Sequence, residues 1–348
     1  MKNFKLKSSL FLTILSTGLI LTSCSKSDSS PTPETPPVVI VPPTPIVIST
    51  SIFSGISGTS GSINGEIATA TFSEPYGICS DASGNLYVTE KSSSKIRKIT
   101  SAGIVSTFIS DLNNISIPSG ICIDPQSNLF VADSDYNVIT KVTTSPVTSI
   151  FAGFFNYNGY NDGTGGNAEF SNPSGVCIDN IGNLFVADTD NNCIRKITPA
   201  RVVSTFAGTQ SFGFVNGTGA NASFNSPVSI CIDSNNNLYV TDLNNHAIRK
   251  ITPARVVTTL AGSGVPGFLN ATGSAAKFFN PAGICVNSDG TIFVADRSNK
   301  KIRQISPDGV VTTVLTSTTF SGINGIVMVN NKLFITNPTS HVIHSIQL

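Results

Sequence analysis

The sequence predicts an all-β fold in which one unit of four short strands is repeated around an axis. Each copy begins with a glycine or serine and an apolar residue, and five of the six copies then have a cysteine. The copies start at Gly77, Gly120, Gly175, Ser229, Gly283 and Gly325. The cysteine position is held by Cys79, Cys122, Cys177, Cys231 and Cys285, and by Val327 in the last copy. A repeat of roughly 40 to 55 residues with four short strands is typical of propeller blades. We therefore predict a six-bladed β-propeller of four-stranded antiparallel blades.

The third copy shows the four strands most clearly. We expect strand a at Pro173–Asp179, strand b at Leu184–Asp188, strand c at Cys193–Ile197 and strand d at Val202–Phe206. These runs are apolar and rich in β-branched residues, and Gly, Asn, Asp and Pro mark the turns between them. Strands a and b are apolar at nearly every position, which favours sheets that pack against neighbours on both faces.

The sixth copy contains only three strands before Leu348. The segment Thr50–Gly55 closely matches strand d of the second copy, Thr148–Gly153. We therefore expect residues near 46 to 53 to supply the missing outer strand of the last blade. This pairing would remove an exposed sheet edge and join the two ends of the domain.

The first residues predict export. Three lysines within the first seven residues precede an apolar run at Ser8–Leu21, which is shorter than the roughly 20 residues of a membrane-spanning helix and typical of a signal peptide. The run ends in Leu21-Thr22-Ser23-Cys24, which resembles the lipobox of bacterial lipoproteins. That resemblance implies cleavage after residue 23 and lipid attachment at Cys24. The alternative is an ordinary secretory signal with a chance cysteine.

These features predict three parts: a lipoprotein signal peptide at 1–23, a Pro/Ser/Thr-rich tether at 24–45 and the propeller at 46–348. Prolines in the tether favour an extended chain that cannot bury a core. The expected location is the cell envelope, with the lipid anchor in the outer membrane of a Gram-negative bacterium. We expect contact with the membrane through the anchor only, and a monomer.

The repeat resembles a known family. Pro-x-Gly-Ile-Cys-x-Asp, Asn-Leu-Phe-Val-Ala-Asp and Asn-Asn-Cys-Ile-Arg-Lys-Ile are similar to the NHL repeat, and the resemblance covers residues 46–348. It implies a six-bladed propeller but no single activity, since such propellers serve as binding scaffolds, sensor domains and lyases. A net charge of +1 gives no long-range attraction for polyanions, so we expect no nucleic acid partner.

Long connections between strand d and the next strand a predict where a partner binds. They lie at 54–75, 152–173, 207–227 and 261–281, and we expect all four on one face. Phe72, Phe170, Phe224 and Phe278 recur three residues before a proline and are expected to pack under their own loops. Aromatic residues that we take as non-repeating are the candidate ligand-binding residues, because aromatic rings beside Gly and Asn can stack on a sugar or peptide. They are Phe154, Phe155, Tyr157, Tyr160, Phe212, Phe214 and Phe268.

No catalytic or metal-binding cluster is predicted. Only three histidines exist, and His341 and His344 point to opposite sides of a strand. Acidic residues recur at the ends of strands a and b, where we expect them to cap turns; a calcium ion is the alternative. We expect no cofactor, no disulfides among the cysteines after Cys24, and strand-c arginines whose stems cover apolar surface. The strand-c arginines are Arg97, Arg195, Arg249 and Arg303.

The predicted function is therefore a lipid-anchored extracytoplasmic binding scaffold that presents the looped side of the propeller to a protein or glycan. The alternative is a metal-assisted hydrolase or lyase that acts on a small substrate in the central channel. A rigid repeat without catalytic clusters favours the scaffold.

Overall fold

The computed structural model describes residues 50–110 and 114–348. Within them, six antiparallel sheets form the blades of a β-propeller, as the repeat predicts. Strands a of neighbouring blades contact one another around the axis. Within each blade the strands follow in the order a, b, c and d. The predicted signal peptide, Cys24 and the tether lie outside the described residues, so their boundaries stay predictions. The described residues contain no helix that is long and apolar enough to cross a membrane.

The strands are numbered along the chain. The first three blades follow β1 (Thr50–Ser54) and consist of β2 (Gly65–Glu66), β3 (Pro75–Ser80), β4 (Leu86–Glu90), β5 (Lys95–Ile99) and β6 (Ile104–Ser110); β7 (Pro118–Ile123), β8 (Leu129–Asp133), β9 (Val138–Val142) and β10 (Thr148–Ala152); and β11 (Gly163–Thr164), β12 (Pro173–Ile178), β13 (Leu184–Asp188), β14 (Cys193–Ile197) and β15 (Val202–Gly208).

The remaining blades consist of β16 (Gly217–Thr218), β17 (Pro227–Ile232), β18 (Leu238–Asp242), β19 (Ala247–Ile251) and β20 (Val256–Ala261); β21 (Pro281–Val286), β22 (Ile292–Asp296), β23 (Lys301–Ile305) and β24 (Val311–Thr316); and β25 (Ile326–Val329), β26 (Lys332–Asn337) and β27 (Val342–Gln347). Short 3-10 helices occupy turns and loops at Gly165–Asn167, Gly219–Asn221, Leu243–Asn245, Gly273–Ala275, Arg297–Asn299 and Pro338–Ser340.

The hydrophobic core is divided among the contacts between neighbouring blades. Each apolar cluster joins two adjacent sheets, as where Phe130 of blade 2 packs with Phe170 and Val186 of blade 3. Strand b is buried at every position in blades 1 to 5, because both of its faces contact another sheet. The a–b turns are capped as predicted: Asp179 Oδ1 accepts the backbone N–H groups of Ile181 and Asn183.

Glycine in strand a allows the blades to meet closely at the axis. A Cβ atom added to Gly175 would lie 2.8 Å from the carbonyl oxygen of Val228 in the next blade, which a real side chain does not tolerate. The same position is glycine in five blades and Ser229 in the fourth. The inner strands consequently enclose an axial cavity of only about 80 Å³.

The cysteines that begin the repeats are free thiols, as predicted. The cysteines among the described residues form no disulfide, and all but Cys231 are buried. Burial raises the pKa of the Cys285 thiol to about 12. These side chains therefore act as small apolar groups in the contacts between blades.

The N-terminal strand completes the last blade, as predicted. β1 pairs with β27, with Thr50 opposite Ile346 and Ile52 opposite His344. Within this sheet the ring of Phe53 packs edge-on against Phe334, with 4.7 Å between centroids. The closed blade 6 is also joined to blade 1, because Thr336 Oγ1 donates a 2.6 Å hydrogen bond to the Tyr76 carbonyl.

His344 gives this closing blade a buried ionisable side chain. It is 2% exposed, its Nε2 lies 3.3 Å from Asn337 Nδ2, and its ring contacts Phe320. Its Nδ1 has no hydrogen-bond partner. Burial lowers the pKa of His344 from an ordinary value of 6.5 to about 4. The folded protein therefore holds a neutral imidazole beside the β1–β27 pair.

Removal of the closing strand should destabilise the whole propeller. A chain that starts at residue 56 loses the ladder to β27 and the packing of Phe53, and we expect about 5 kcal/mol or more of lost stability. A chain that lacks only residues 25–45 serves as the control. Thermal unfolding measures both, and equal melting temperatures for the two chains would show that closure by β1 is unimportant.

His344 should make the fold acid-sensitive. The unfolded chain binds a proton near pH 6.5 but the folded chain only near pH 4, so the stability contributed by neutral His344 is present above pH 6.5 and lost as the pH falls to 4. We expect this loss to be about 3 kcal/mol. Urea unfolding at pH 7.5 and pH 4 tests it. The loss between the two pH values should be smaller by that amount in His344→Gln, and an unchanged loss would contradict the prediction.

Candidate functional site

The four long loops extend beyond one face of the propeller. Each loop starts at the end of strand d in one blade and ends at the start of strand a in the next blade, on the same face. The middle of the loop, however, pairs with the beginning of strand d in the blade that it enters. The pairs are Gly65–Val105, Gly163–Val203 and Gly217–Val257, with an isolated bridge Thr272–Val310 in blade 5. Strand d begins at the opposite end of the sheet. The expectation that these loops lie wholly on one face is therefore wrong, because their middle parts run along the outer edge of the blade.

A buried arginine fixes each long loop, as blade 3 illustrates. Arg195 Nη1 donates to Asp188 Oδ2 and to the Glu169 carbonyl, both at 2.9 Å. Its Nη2 donates to the Asn161 carbonyl at 3.0 Å and to Asp162 Oδ1 at 2.7 Å. One guanidinium thus joins the end of strand b to both arms of the loop. We call this arrangement the arginine clamp.

The clamp recurs in every blade that a long loop enters. Arg97, Arg249 and Arg303 pair with Glu90, Asp242 and Asp296 at 2.8–2.9 Å, and their second nitrogens donate to the side-chain oxygens of Asn64, Asn216 and Asn270. The side chains of these arginines and their strand-b partners have no exposed surface. The sequence predicts only that the arginine stems cover apolar surface, but the charged heads are buried as well.

The strand-b acids do more than cap turns. Besides pairing with the arginine, Asp188 accepts the backbone N–H of Ser171 at 2.7 Å, so the carboxylate also holds the end of the loop. Burial raises the pKa of Asp188 and of Asp242 to about 6, although the arginines lower it. Both groups are therefore ionised at pH 7, as the ion pair requires.

The two blades without a long loop lack the arginine. Thr140 takes its place in blade 2, where its hydroxyl donates to the Asn114 carbonyl at 3.0 Å, and His344 takes its place in blade 6. The arginine therefore accompanies the long loop and is not required by the blade itself. This difference within one chain identifies loop fixation as its role.

The seven candidate aromatic residues fall into two groups. Tyr160, Phe214 and Phe268 are spaced 54 residues apart and cover the clamp arginines, with 4.8–5.2 Å from ring centroid to guanidinium. The expectation that these three residues do not repeat is therefore wrong, because each occupies the same position in its loop and contacts the arginine of its own blade. Phe72, Phe170, Phe224 and Phe278 each contact the clamp arginine of their own blade and are fully buried, which confirms that they pack under their own loops.

The other candidates lie in short variable segments that we call the loop tips, residues 56–61, 154–159, 209–213 and 263–267. Each tip begins after a glycine at the end of strand d and ends before the position that Tyr160, Phe214 and Phe268 occupy in three of the loops. The tips share almost no sequence, yet each exposes apolar side chains. The exposed residues are Ile56, Phe154, Phe155, Tyr157, Phe212 and Val265, of which Phe212 is the most exposed at 75%.

The tip of blade 3 has the most aromatic surface. Phe155 lies against Tyr136 of blade 2 with 4.5 Å between ring centroids, and Phe154 contacts Tyr157 edge-on at 5.7 Å. The backbone is held in a tight turn, because Asn156 N–H donates to the Tyr136 carbonyl and Tyr157 N–H donates to the Phe154 carbonyl. Exposed rings on a fixed backbone can bind a partner with little ordering of the chain.

Side chains that could carry chemistry are held in structural contacts. The Nδ1 atoms of His246 and His341 accept backbone N–H groups of Asn280 and Glu74 in neighbouring blades. Within residues 50–110 and 114–348, no three His, Cys, Asp or Glu side chains are grouped so that they could hold a metal ion. The expectations about cofactors and calcium stay predictions.

Loss of a clamp should destabilise the fold far more than loss of a neighbouring charge. Arg249→Met leaves the buried Asp242 unpaired, and we expect about 3–5 kcal/mol of lost stability in urea unfolding. Lys250→Met, the adjacent position on β19, is the control and should cost less than about 1 kcal/mol.

If Arg249→Met does not fold, Asn216→Ala provides a milder test. It removes one acceptor of Arg249 Nη2 and should cost about 1.5 kcal/mol. Equal stability of Asn216→Ala and the parent protein would contradict the clamp.

Comparison with known proteins agrees with the repeat. Residues 170–197, 224–251 and 278–305 match the NHL repeat. The chain is 31% identical over 166 residues to the protein SUPPRESSOR OF QUENCHING 1, chloroplastic, of Arabidopsis thaliana. This alignment covers 43% of the chain and 16% of the relative. The aligned part of the chain thus spans less than a quarter of the length of this relative.

Solved propellers share the architecture. An auxiliary nutrient binding protein from Bacteroides thetaiotaomicron matches with a TM-score of 0.67 and 16% identity, over 85% of this chain and 75% of that protein. A virginiamycin B lyase from Staphylococcus aureus matches with a TM-score of 0.57 and 14% identity, over 86% of this chain and 99% of the lyase. At such identities the likeness concerns the fold alone. The chain therefore carries NHL repeats and folds as a six-bladed β-propeller.

Proposed function

We propose that this protein is a binding scaffold whose loop tips contact a protein or glycan partner. The observation that carries the proposal is the contrast within each long loop. The clamp holds a repeated frame, whereas the tip differs in every loop and exposes apolar side chains. A fixed frame with variable exposed tips is the arrangement expected of a recognition surface.

The energetics support this role. Exposed aromatic rings contribute nothing to the core and are favoured at interfaces, where their burial adds most of the binding energy. The clamp removes freedom from the loops before the partner arrives, which lowers the entropy lost on association. The propeller would thus present Phe154, Phe155, Tyr157 and Phe212 in fixed positions.

The scaffold is proposed to act as a monomer at the cell envelope, anchored by a lipid on Cys24. The signal and lipobox residues that precede the tether support this placement. Among the solved propellers of similar fold is a nutrient-binding protein of a Bacteroides species, which is compatible with an envelope binding role. No nucleic acid is proposed as a partner, since the net charge is only +1.

The alternative of a metal-assisted hydrolase or lyase has less support. The axial cavity of about 80 Å³ is far smaller than the roughly 300 Å³ at which ligand pockets begin. Its lining consists of backbone and side chains such as Gly175, Ile230 and Ser229, which are neither acid–base groups nor metal ligands. A lyase is among the similar folds. A wider cavity of about 440 Å³ at the a–b-turn end of the inner strands is lined by Asp81, Asp124 and Asp179, but these carboxylates already accept hydrogen bonds within their turns.

Replacement of the blade 3 tip should abolish partner binding. In the triple variant Phe154→Ser, Phe155→Ser, Tyr157→Ser we expect at least about tenfold weaker capture of a partner from envelope extract or of a glycan on an array. Ile181→Ser is the control, because Ile181 is 73% exposed in an a–b turn on the opposite face. Both variants should keep the parent melting temperature. Undiminished binding by the triple variant, or equal loss in the control, would refute the proposal.

A further inference from the structure

The surface around the blade 3 tip is continuous with two b–c turns, residues 134–137 of blade 2 and 189–192 of blade 3. Asn137 Oδ1 accepts the backbone N–H of Asn172 at 2.7 Å, and Asn172 Nδ2 donates to Asp190 Oδ1 at 3.3 Å. The ring of Tyr136, in the first turn, packs against the ring of Phe155. We call these two turns, with loop residues 153–172, the acidic tip surface.

Charge distinguishes this surface from the loop that enters blade 5. The acidic tip surface contains Asp135, Asp162, Glu169 and Asp190, and no Lys, Arg or His. Asp162 is paired with the buried Arg195, so the other three carboxylates give the surface its negative charge. Asp135 and Asp190 are exposed. The loop that enters blade 5 and the adjacent turn instead carry Lys277, Arg297 and Lys300. Because the chain as a whole is nearly neutral, the local negative charge is a property of this surface and selects for a cationic partner.

The ring geometry favours side chains over sugar rings. The planes of Tyr136 and Phe155 meet at 47°, and those of Phe154 and Tyr157 at 84°, so neither pair forms a flat platform for a pyranose ring. The chain also contains no tryptophan, the largest stacking surface available to a protein. Angled rings with nearby carboxylates suit the alkyl stem and charged head of Lys or Arg, which bind ring faces and carboxylates together.

Resting on the proposed function, we propose that the acidic tip surface binds a basic, apolar peptide segment of a partner protein. A Lys or Arg stem lies against Tyr136 and Phe155 with its charged head near Asp135 or Asp190. An apolar side chain of the same segment packs against Phe154 and Tyr157. This assigns the partner as a protein and the recognised feature as a cation beside an apolar residue.

Fluorescence anisotropy with defined probes tests this assignment on the full mature chain. The probes are labelled twelve-residue peptides of alternating Lys-Leu, Glu-Leu or Ser-Leu, and labelled maltohexaose and cellohexaose. We expect the Lys-Leu peptide to bind at least about tenfold more tightly than the other probes. The double variant Asp135→Asn, Asp190→Asn should weaken this binding about fivefold or more, as should an increase in NaCl from 50 to 500 mM. The control Asp308→Asn, an exposed carboxylate in the c–d turn of blade 5 on the opposite face, should change it less than about twofold.

The possible failures are distinguishable. Equal binding of the Lys-Leu and Glu-Leu peptides, equal effects of the double variant and the control, or no binding of any peptide would overturn the inference. Tip-dependent binding of an oligosaccharide would also overturn it, but would leave the scaffold function standing. Only partner capture that is insensitive to the tip variant would remove the proposed function itself.

Discussion

A charged group that is buried without partners destabilises a protein strongly, and four guanidinium groups lie wholly inside this one. Each is stabilised by a strand-b carboxylate, by two loop carbonyls and by the side-chain oxygen of an Asn or Asp in the loop. Two aromatic rings contact the guanidinium of each of three arginines, Arg195, Arg249 and Arg303. The loop is therefore the only source of several hydrogen bonds that the arginine needs. Loop and blade consequently stabilise one another, and the loop cannot leave without breaking several hydrogen bonds to a buried guanidinium.

This dependence limits where the proposed partner can bind. The glycines of strand a bring the blades together until little space remains between them, so the middle of the channel offers no room for a sizeable ligand. The outer edges of blades 1, 3 and 4 are partly covered by the loops that pair with strand d. The tips remain as surface that the fold does not use. Their exposed apolar side chains are the surface through which we propose that a partner binds.

The sequence was sufficient for the architecture because the repeat has a fixed period and because Thr50–Gly55 matches a strand d elsewhere in the chain. It was less informative about the clamp. The pairing of Arg195 with Asp188 could have been predicted, because the two residues lie on adjacent strands of one blade. The pairing of Arg195 with Asp162 could not, because it depends on the course of a 20-residue loop, about which the strand pattern says nothing. The signal was nonetheless present, since Arg occurs only in the copies that follow a long loop. The repeat spacing of Tyr160, Phe214 and Phe268 was missed because loop length differs by one residue before them.

Native-state hydrogen exchange of the intact protein measures loop fixation most directly. If the clamp holds the loops as rigidly as the blades, the amides of Gly165, Gly219 and Gly273, which donate to backbone carbonyls beneath the loops, will exchange as slowly as those of the adjacent strands d. The amides of Thr144 and Ser145, in the exposed c–d turn of blade 2, should exchange much faster. Rapid exchange of the three loop glycines, at the rate of that turn, would show that the loops open freely and that the arginines do not fix them.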